Sequence, residues 1–200
     1  MELVQKIQLS ATKLFNKFGV RSVSMDEISK ELNISKKTLY KCFRDKDELV
    51  RLAVITHLKE IELKIVEIRS TEPHPIHQLY QICQFVISKS SSMNPNMMRD
   101  LRKYHREIFD MLMEIRNENF TNSTVNNIEL GRSLGYYRND FDVAVIANSF
   151  NVLTYTIFDP AEFKLFHVEP QQALSEIVKY HIRGIATPLG LEELSKLNWN

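Results

Sequence analysis

Two hundred residues with 26 Lys+Arg against 25 Asp+Glu give a net charge of +1, too balanced for a polyelectrolyte tail and long enough for one or two packed domains. Five glycines and six prolines argue against an all-β protein, and two cysteines against a disulfide framework or a structural zinc site. The near-neutral total hides an asymmetry: residues 1–51 hold 11 Lys+Arg and 7 Asp+Glu, hence +4, whereas residues 52–200 hold 15 and 18, hence −3. Polyanion binding follows local charge, so the basic head matters more than the sum.

The first predicted helix places Ile7, Ala11, Leu14, Phe15 and Phe18 on one stripe and stops at Gly19. Ser24 with Glu27 three residues on is a capping box, opening a helix from about Met25 to Leu32 with Ile28 and Leu32 on one face. Asn33 follows where the chain must turn, and asparagine is among the few side chains that tolerate a left-handed backbone. Ile34 can plug the corner. Ser35 caps the next helix, which runs to about Phe43 with Leu39 and Phe43 inward and Lys36, Lys37, Thr38, Tyr40 and Lys41 near or on the outer side. Two capped helices joined by a tight turn, the second densely basic, read as a helix-turn-helix whose second helix lies on DNA.

Asp45 with Glu48 caps a long helix from Asp47 to about Ser70, and the run Thr71-Glu-Pro-His-Pro75 breaks it. A helix is predicted from Ile76 to about Ser88, a loop or helix start over 90–96, and helical pattern from Pro95 to Leu134 with a break near Tyr104 and Gly135 as its stop. Asp140 or Asp142 caps a helix reaching about Ile157. Asp159-Pro160 and Glu169-Pro170 bracket an irregular connection, a long helix runs from Gln171 to Ile185, and a short one is expected around Leu191 to Leu197. The uncharged run Val143 to Phe158 is too short and polar for a membrane span, and the polar amphipathic start is unlike a secretory leader, so a cytoplasmic location is expected.

The residues of the amino-terminal stretch resemble the TetR family of bacterial transcriptional repressors. The resemblance rests on Phe18-Gly19, Ser24-x-x-x-Ile28, Ile34-Ser35-x-x-Thr38-Leu39-Tyr40-x-x-Phe43 and Lys46-x-x-Leu49, and covers about residues 5–55; the rest agrees in length and helical pattern. It implies an all-α protein, with a three-helix helix-turn-helix DNA-binding domain over 1–46 and a helical ligand-binding and dimerisation domain over 47–200. By the same resemblance Ser24 caps and touches phosphate, Lys36, Lys37 and Thr38 open the recognition helix, Tyr40 meets the backbone or a thymine methyl, and Lys46 binds phosphate together with a helix N-terminus. Ser35 and Lys41 complete the candidate DNA-binding set. Two positions depart from the family pattern: Lys37 stands where glycine is frequent, and Cys42 where histidine or tyrosine is. Cys42, beside Lys41, Arg44 and Lys46, reads either as a packing residue or as a redox-sensitive thiol.

The helix after Asp142 is apolar nearly all round, and the last long helix offers a second apolar stripe. The family dimerises through its last two long helices, so Val143, Ile146, Ala147, Phe150, Leu153, Leu174, Ile177, Val178, His181, Ile182 and Ile185 are the expected homodimer interface. A small-molecule effector pocket, implied by the family, would draw on Tyr80, Phe85, Met97, Met98, Tyr104, His105, Phe109, Met113, Phe150 and Tyr155; the same residues also read as ordinary core. No phosphate loop, metal-spaced His/Glu set or nucleophile elbow appears, so no cofactor, metal or catalysis is expected. The expected partners are an operator in double-stranded DNA, a second copy of the chain and an unidentified effector. The alternative is a ligand-sensing or protein-binding module that has lost DNA binding.

Overall fold

The computed structural model describes residues 2–91, 96–158 and 167–198, and among these it is helical throughout. The helices are α1 (Leu3–Phe18), α2 (Met25–Glu31), α3 (Lys36–Cys42), α4 (Lys46–Thr71), α5 (Pro75–Ser91), α6 (Met97–Tyr104), α7 (Arg106–Ser133), α8 (Val143–Phe158), α9 (Pro170–Ile185) and α10 (Pro188–Ser195). An isolated bridge pairs Tyr137 with Ala186. The all-α expectation holds, with the break near Tyr104 realised at His105. The expected connection over 159–166 and most of the 90–96 loop lie outside the described residues.

The chain packs as two units, Met1–Ile61 with Ser92–Ile115, and Glu62–Ser91 with Arg116–Asn200. In the first, Ile7, Ala11 and Phe15 of α1 meet Ile28, Leu39, Phe43, Leu49 and Val50, and Met97, Leu101, Ile108 and Phe109 complete the core. Phe18 does not join the α1 stripe; it is half exposed, because the helix ends there and Gly19 turns the chain away with φ 82°. Division by packing therefore differs from a cut after residue 46: the start of α4, α6 and the first turns of α7 close the same core as the helix-turn-helix.

The second unit gathers Ile76, Leu79, Cys83 and Ile87 of α5, Ile128 of α7, Phe150 and Ile157 of α8, and Leu174, Val178, Ile182 and Ile185 of α9 around the buried Tyr137. Gly135 (φ 77°) ends α7 in a Schellman turn, with Tyr136 N donating to Gly131 O at 2.8 Å and Gly135 N to Arg132 O at 3.0 Å. The turn folds the Tyr137 ring back onto Gly131, where a Cβ would lie 2.0 Å from it. Tyr137 Oη then donates to Asn127 Oδ1 at 3.2 Å, and Asn127 Nδ2 to Pro75 O at 2.8 Å, so the buried polar atoms of this corner are paired.

Candidate nucleic-acid interface

The helix-turn-helix is built from local hydrogen bonds. Ser24 N donates to Glu27 Oε2 at 2.6 Å and Glu27 N to Ser24 Oγ at 3.2 Å, which is the full capping box. That backbone hydrogen bond, helped by the serine hydroxyl, holds the Glu27 carboxyl below its ordinary range. Asn33 takes φ 52°, with Ile34 N donating to Ser29 O at 3.0 Å and Asn33 N to Lys30 O at 3.1 Å, so the turn is a Schellman motif with asparagine in the left-handed position. Ser35 caps α3 by accepting from Thr38 N at 3.0 Å, and its hydroxyl lies 2.8 Å from Thr38 Oγ1.

Ser24, Ser35, Lys36, Lys37, Tyr40 and Lys41 are exposed, and Thr38 is half-buried. Lys36 is tied to Asp26 of α2 at 2.5 Å. Lys37 and Lys41 make no ion pair among the described residues, so their charge is available to an incoming anion. Cys42 is half-buried against the core of this unit, the packing position of its two readings.

Lys46 sits differently from the other cations. It is half-buried, burial pushes its ammonium below the ordinary lysine range, and Asp100, Asp47 and Glu27 oppose that shift. The N-terminus of α4 is already occupied: Glu48 N donates to Asp45 Oδ1 at 2.9 Å and Arg44 N to Glu48 Oε2 at 2.7 Å. A phosphate at this point meets the Lys46 charge, since Asp45 already takes an amide of the helix end.

Three acidic residues that the sequence did not single out frame this surface. Asp26 holds Lys36. Asp100, buried on α6, accepts from Arg21 N at 3.0 Å and fixes the loop before Ser24. Asp47 Oδ1 lies 2.9 Å from His105 Nδ1. The link spans the α6–α7 corner and the first turn of α4, which no local pattern could announce.

The proposed effector residues are divided between the two units. In the first, Met97 and Phe109 are buried core, Met98 and Met113 half-buried, Tyr104 exposed and His105 turned to Asp47. In the second, Tyr80 Oη donates to Asn198 O at 2.6 Å, Phe85 is half-buried, Phe150 stacks on His181, and Tyr155 lies beside the Arg116 guanidinium. Arg116 Nη1 donates to Asn151 Oδ1 at 2.9 Å, and burial pushes its guanidinium down to about 10. A shallow cavity of about 270 Å3 between α5 and the start of α9 is lined by Gln84, Ile87, Gln172 and Ser175 among others, and by none of the named pocket residues.

Burial divides the residues expected at the interface. Ala147, Phe150, Leu174, Val178, His181, Ile182 and Ile185 are buried within their own unit, and Val143, Ile146 and Ile177 are half-buried on the same core. The first seven are closed within one copy, whereas Val143, Ile146, Ile177 and the exposed Leu153 keep surface that a second copy could meet. The large apolar side chains left outside on these helices are Val145, Val152, Leu153 and Tyr180, of which Leu153 belongs to the expected interface set. A helix apolar on every side gives no cue to which side turns inward.

One group of described side chains has the composition of a metal-ligand set. His74, His77 and Glu193 bring an imidazole nitrogen each and a carboxylate oxygen within 4.8 Å of one another. The sequence hid this set because His74 lies in the break before α5 and the third group comes from α10.

Residues 9–53 match the model of a family described as bacterial regulatory proteins, tetR family. An HTH-type transcriptional regulator of Staphylococcus aureus strain USA300 is 42% identical over 65 residues, a match spanning 29% of this chain and 35% of that protein. The match thus spans about a third of that curated relative's length. Among solved structures, a transcriptional regulator from Cytophaga hutchinsonii superposes with a TM-score of 0.75 at 14% identity, over 92% of this chain and 98% of its own. The regulatory protein TetR from Rhodobacter sphaeroides gives 0.69 at 15% identity, over 91% and 98%. No described helix is long and apolar enough to cross a membrane. Residues 9–53 are thus similar to the amino-terminal segment of the tetR family, and the chain shares the fold of those solved regulators.

Proposed function

We propose that this chain is a cytoplasmic transcriptional repressor that binds a roughly palindromic operator as a homodimer and is released by a small-molecule effector. The observation that carries the reading is the capped turn from Ser24 to Thr38, which fixes α3 with Lys37 and Lys41 exposed and without ion pairs among the described residues. Each copy would place α3 in one of two successive major grooves about 34–36 Å apart. Ser24, Ser35, Thr38 and Tyr40 would position the backbone, Lys36 would exchange Asp26 for phosphate, and Lys46 would add its half-buried charge. Pairing would use Val145, Val152, Leu153 and Tyr180. An effector would act by favouring one of two arrangements of the α6–α7 corner and α4, with a coupling of about 1–3 kcal/mol.

The test is fluorescence anisotropy on the chain's own upstream DNA across a salt series. Saturable binding that exceeds binding to scrambled DNA is expected, and Lys37→Ala should reduce the salt slope by about 0.9 for each phosphate that is no longer neutralised. Equal affinity for scrambled and upstream DNA would overturn operator recognition there, and no binding at low salt would overturn the reading in favour of a module that no longer meets DNA.

A further inference from the structure

The connection between α4 and α5 carries two histidines, and the far end of the chain brings a carboxylate to them. His74 precedes Pro75, which opens α5, and His77 follows one turn later. Their rings lie 4.4 Å apart between centroids. Neither Nδ1 nor Nε2 of His74, nor Nε2 of His77, has a hydrogen-bond partner, although all three atoms are buried. Buried polar atoms are almost always satisfied. One unsatisfied nitrogen from each ring, grouped with the Glu193 carboxylate, therefore points to a ligand held in common, to which His74 offers one of its two nitrogens.

The scaffold that presents these groups is tight. The Tyr136 ring lies 4.1 Å from the His74 ring and limits its rotation. Thr187 caps α10, accepting from Gly190 N at 3.3 Å while its Oγ1 donates to Gly135 O at 2.8 Å. A Cβ at Gly190 would lie 2.3 Å from Tyr136 O, so α10 rests directly on that backbone and carries Glu193 one turn further on. On the other side, Glu72 is held by His74 N at 3.0 Å and Gln81 Nε2 at 3.2 Å. His77 stands between two carboxylates, its Nδ1 3.8 Å from Glu72 Oε2 and its Nε2 3.8 Å from Glu193 Oε2. A carboxylate behind Nδ1 favours the proton there and leaves the Nε2 lone pair for a metal, as in many His-ligated sites.

We propose that His74, His77 and Glu193 form a site for a divalent transition-metal ion of the zinc class, joining the α4–α5 connection to α10. Two imidazoles and one carboxylate suit zinc and its neighbours, whereas magnesium and calcium take oxygen donors. Three protein donors leave a position for water or for Glu72. With metal–donor bonds of about 2.1 Å, tetrahedral donors stand roughly 3.4 Å apart, so the set contracts on binding by side-chain movement. Lys196 holds Glu193 Oε1 at 2.7 Å and Glu192 at 3.3 Å. Glu193 Oε2, the oxygen nearer His77, is the one that meets the metal. The site lies within the second unit and does not depend on DNA binding.

The test is titration of the metal-free full-length protein with Co2+ followed by absorption, and with Zn2+ against a chromogenic chelator. One equivalent per chain is expected, with the d–d spectrum of a four- or five-coordinate ion and a rise in melting temperature. His77→Gln and Glu193→Gln should each weaken binding at least about tenfold and remove the thermal shift, while His57→Ala should leave both unchanged. Circular dichroism of the metal-free variants identifies any that has lost helix, in which case the other variant and His74→Gln decide. Absence of saturable binding, or equal affinity in wild type and the well-folded site variants, would overturn the proposal.

Discussion

His181 converts burial into a pH dependence that can be measured. It is 7% exposed, its ring stacks on Phe150 at 4.0 Å with planes 13° apart, and its Nε2 has no hydrogen-bond partner. Burial pushes the imidazole from 6.5 down to about 4. Between those values the unfolded chain binds a proton that the folded chain does not, so unfolding free energy rises with pH by about 1.4 kcal/mol per unit. The contribution is complete above about pH 6.5 and is lost as pH falls toward 4. The full span of 2.5 units, 6.5 − 4, corresponds to about 3.4 kcal/mol. His181→Phe keeps a ring against Phe150 and removes the titration. Urea unfolding of both proteins, followed by far-UV circular dichroism between about pH 7.5 and 4.5, isolates the effect, because all other groups cancel in the difference. The variant should gain on the wild type by about 1.4 kcal/mol for each unit below pH 6.5. A difference that stays flat across this range would refute the claim that His181 is held neutral by burial.

Three further outcomes are expected. Gly131→Ala should destabilise the protein by about 1–3 kcal/mol in urea unfolding, because the new methyl meets a Tyr137 ring that Asn127 pins in place. Ser24→Ala should cost about 1 kcal/mol and Ser24→Thr much less, since only the first removes the hydroxyl that accepts from Glu27 N; equal melting temperatures would speak against the cap. Val152→Glu, a change on the exposed side of α8, should give the mass of a single chain by light scattering, whereas an unchanged dimer would move the pairing surface elsewhere.

What the sequence disclosed depended on distance along the chain. The Ser24–Glu27 box, the left-handed Asn33 and the Gly135 stop are each settled by near neighbours in the chain, and each stands as read. The orientation of α8 was not legible: with Val145, Ala147, Phe150, Val152 and Leu153 all apolar, only the packing of α9 and α5 decides that Phe150 turns in and Val152 out. His105 read as a pocket anchor because its partner, Asp47, sits a whole domain's length upstream. The His74, His77 and Glu193 cluster was hidden for the same reason, since the fold alone brings α10 to the start of α5.

The amino-terminal packing unit is discontinuous, and this bears on how such regulators can be recombined. The matched family segment ends at residue 53, yet the hydrophobic core it belongs to includes Met97, Leu101, Ile108, Phe109 and Leu112. A reading head cut out after residue 61 would carry an open apolar floor and should aggregate. If α3 reads DNA as proposed, a chimaera with a new specificity would have to transplant the surface of α3 residue by residue, or move α6 and the first turns of α7 together with the head. Under the proposed function, specificity would thus travel either as a patch of side chains or as the whole discontinuous unit.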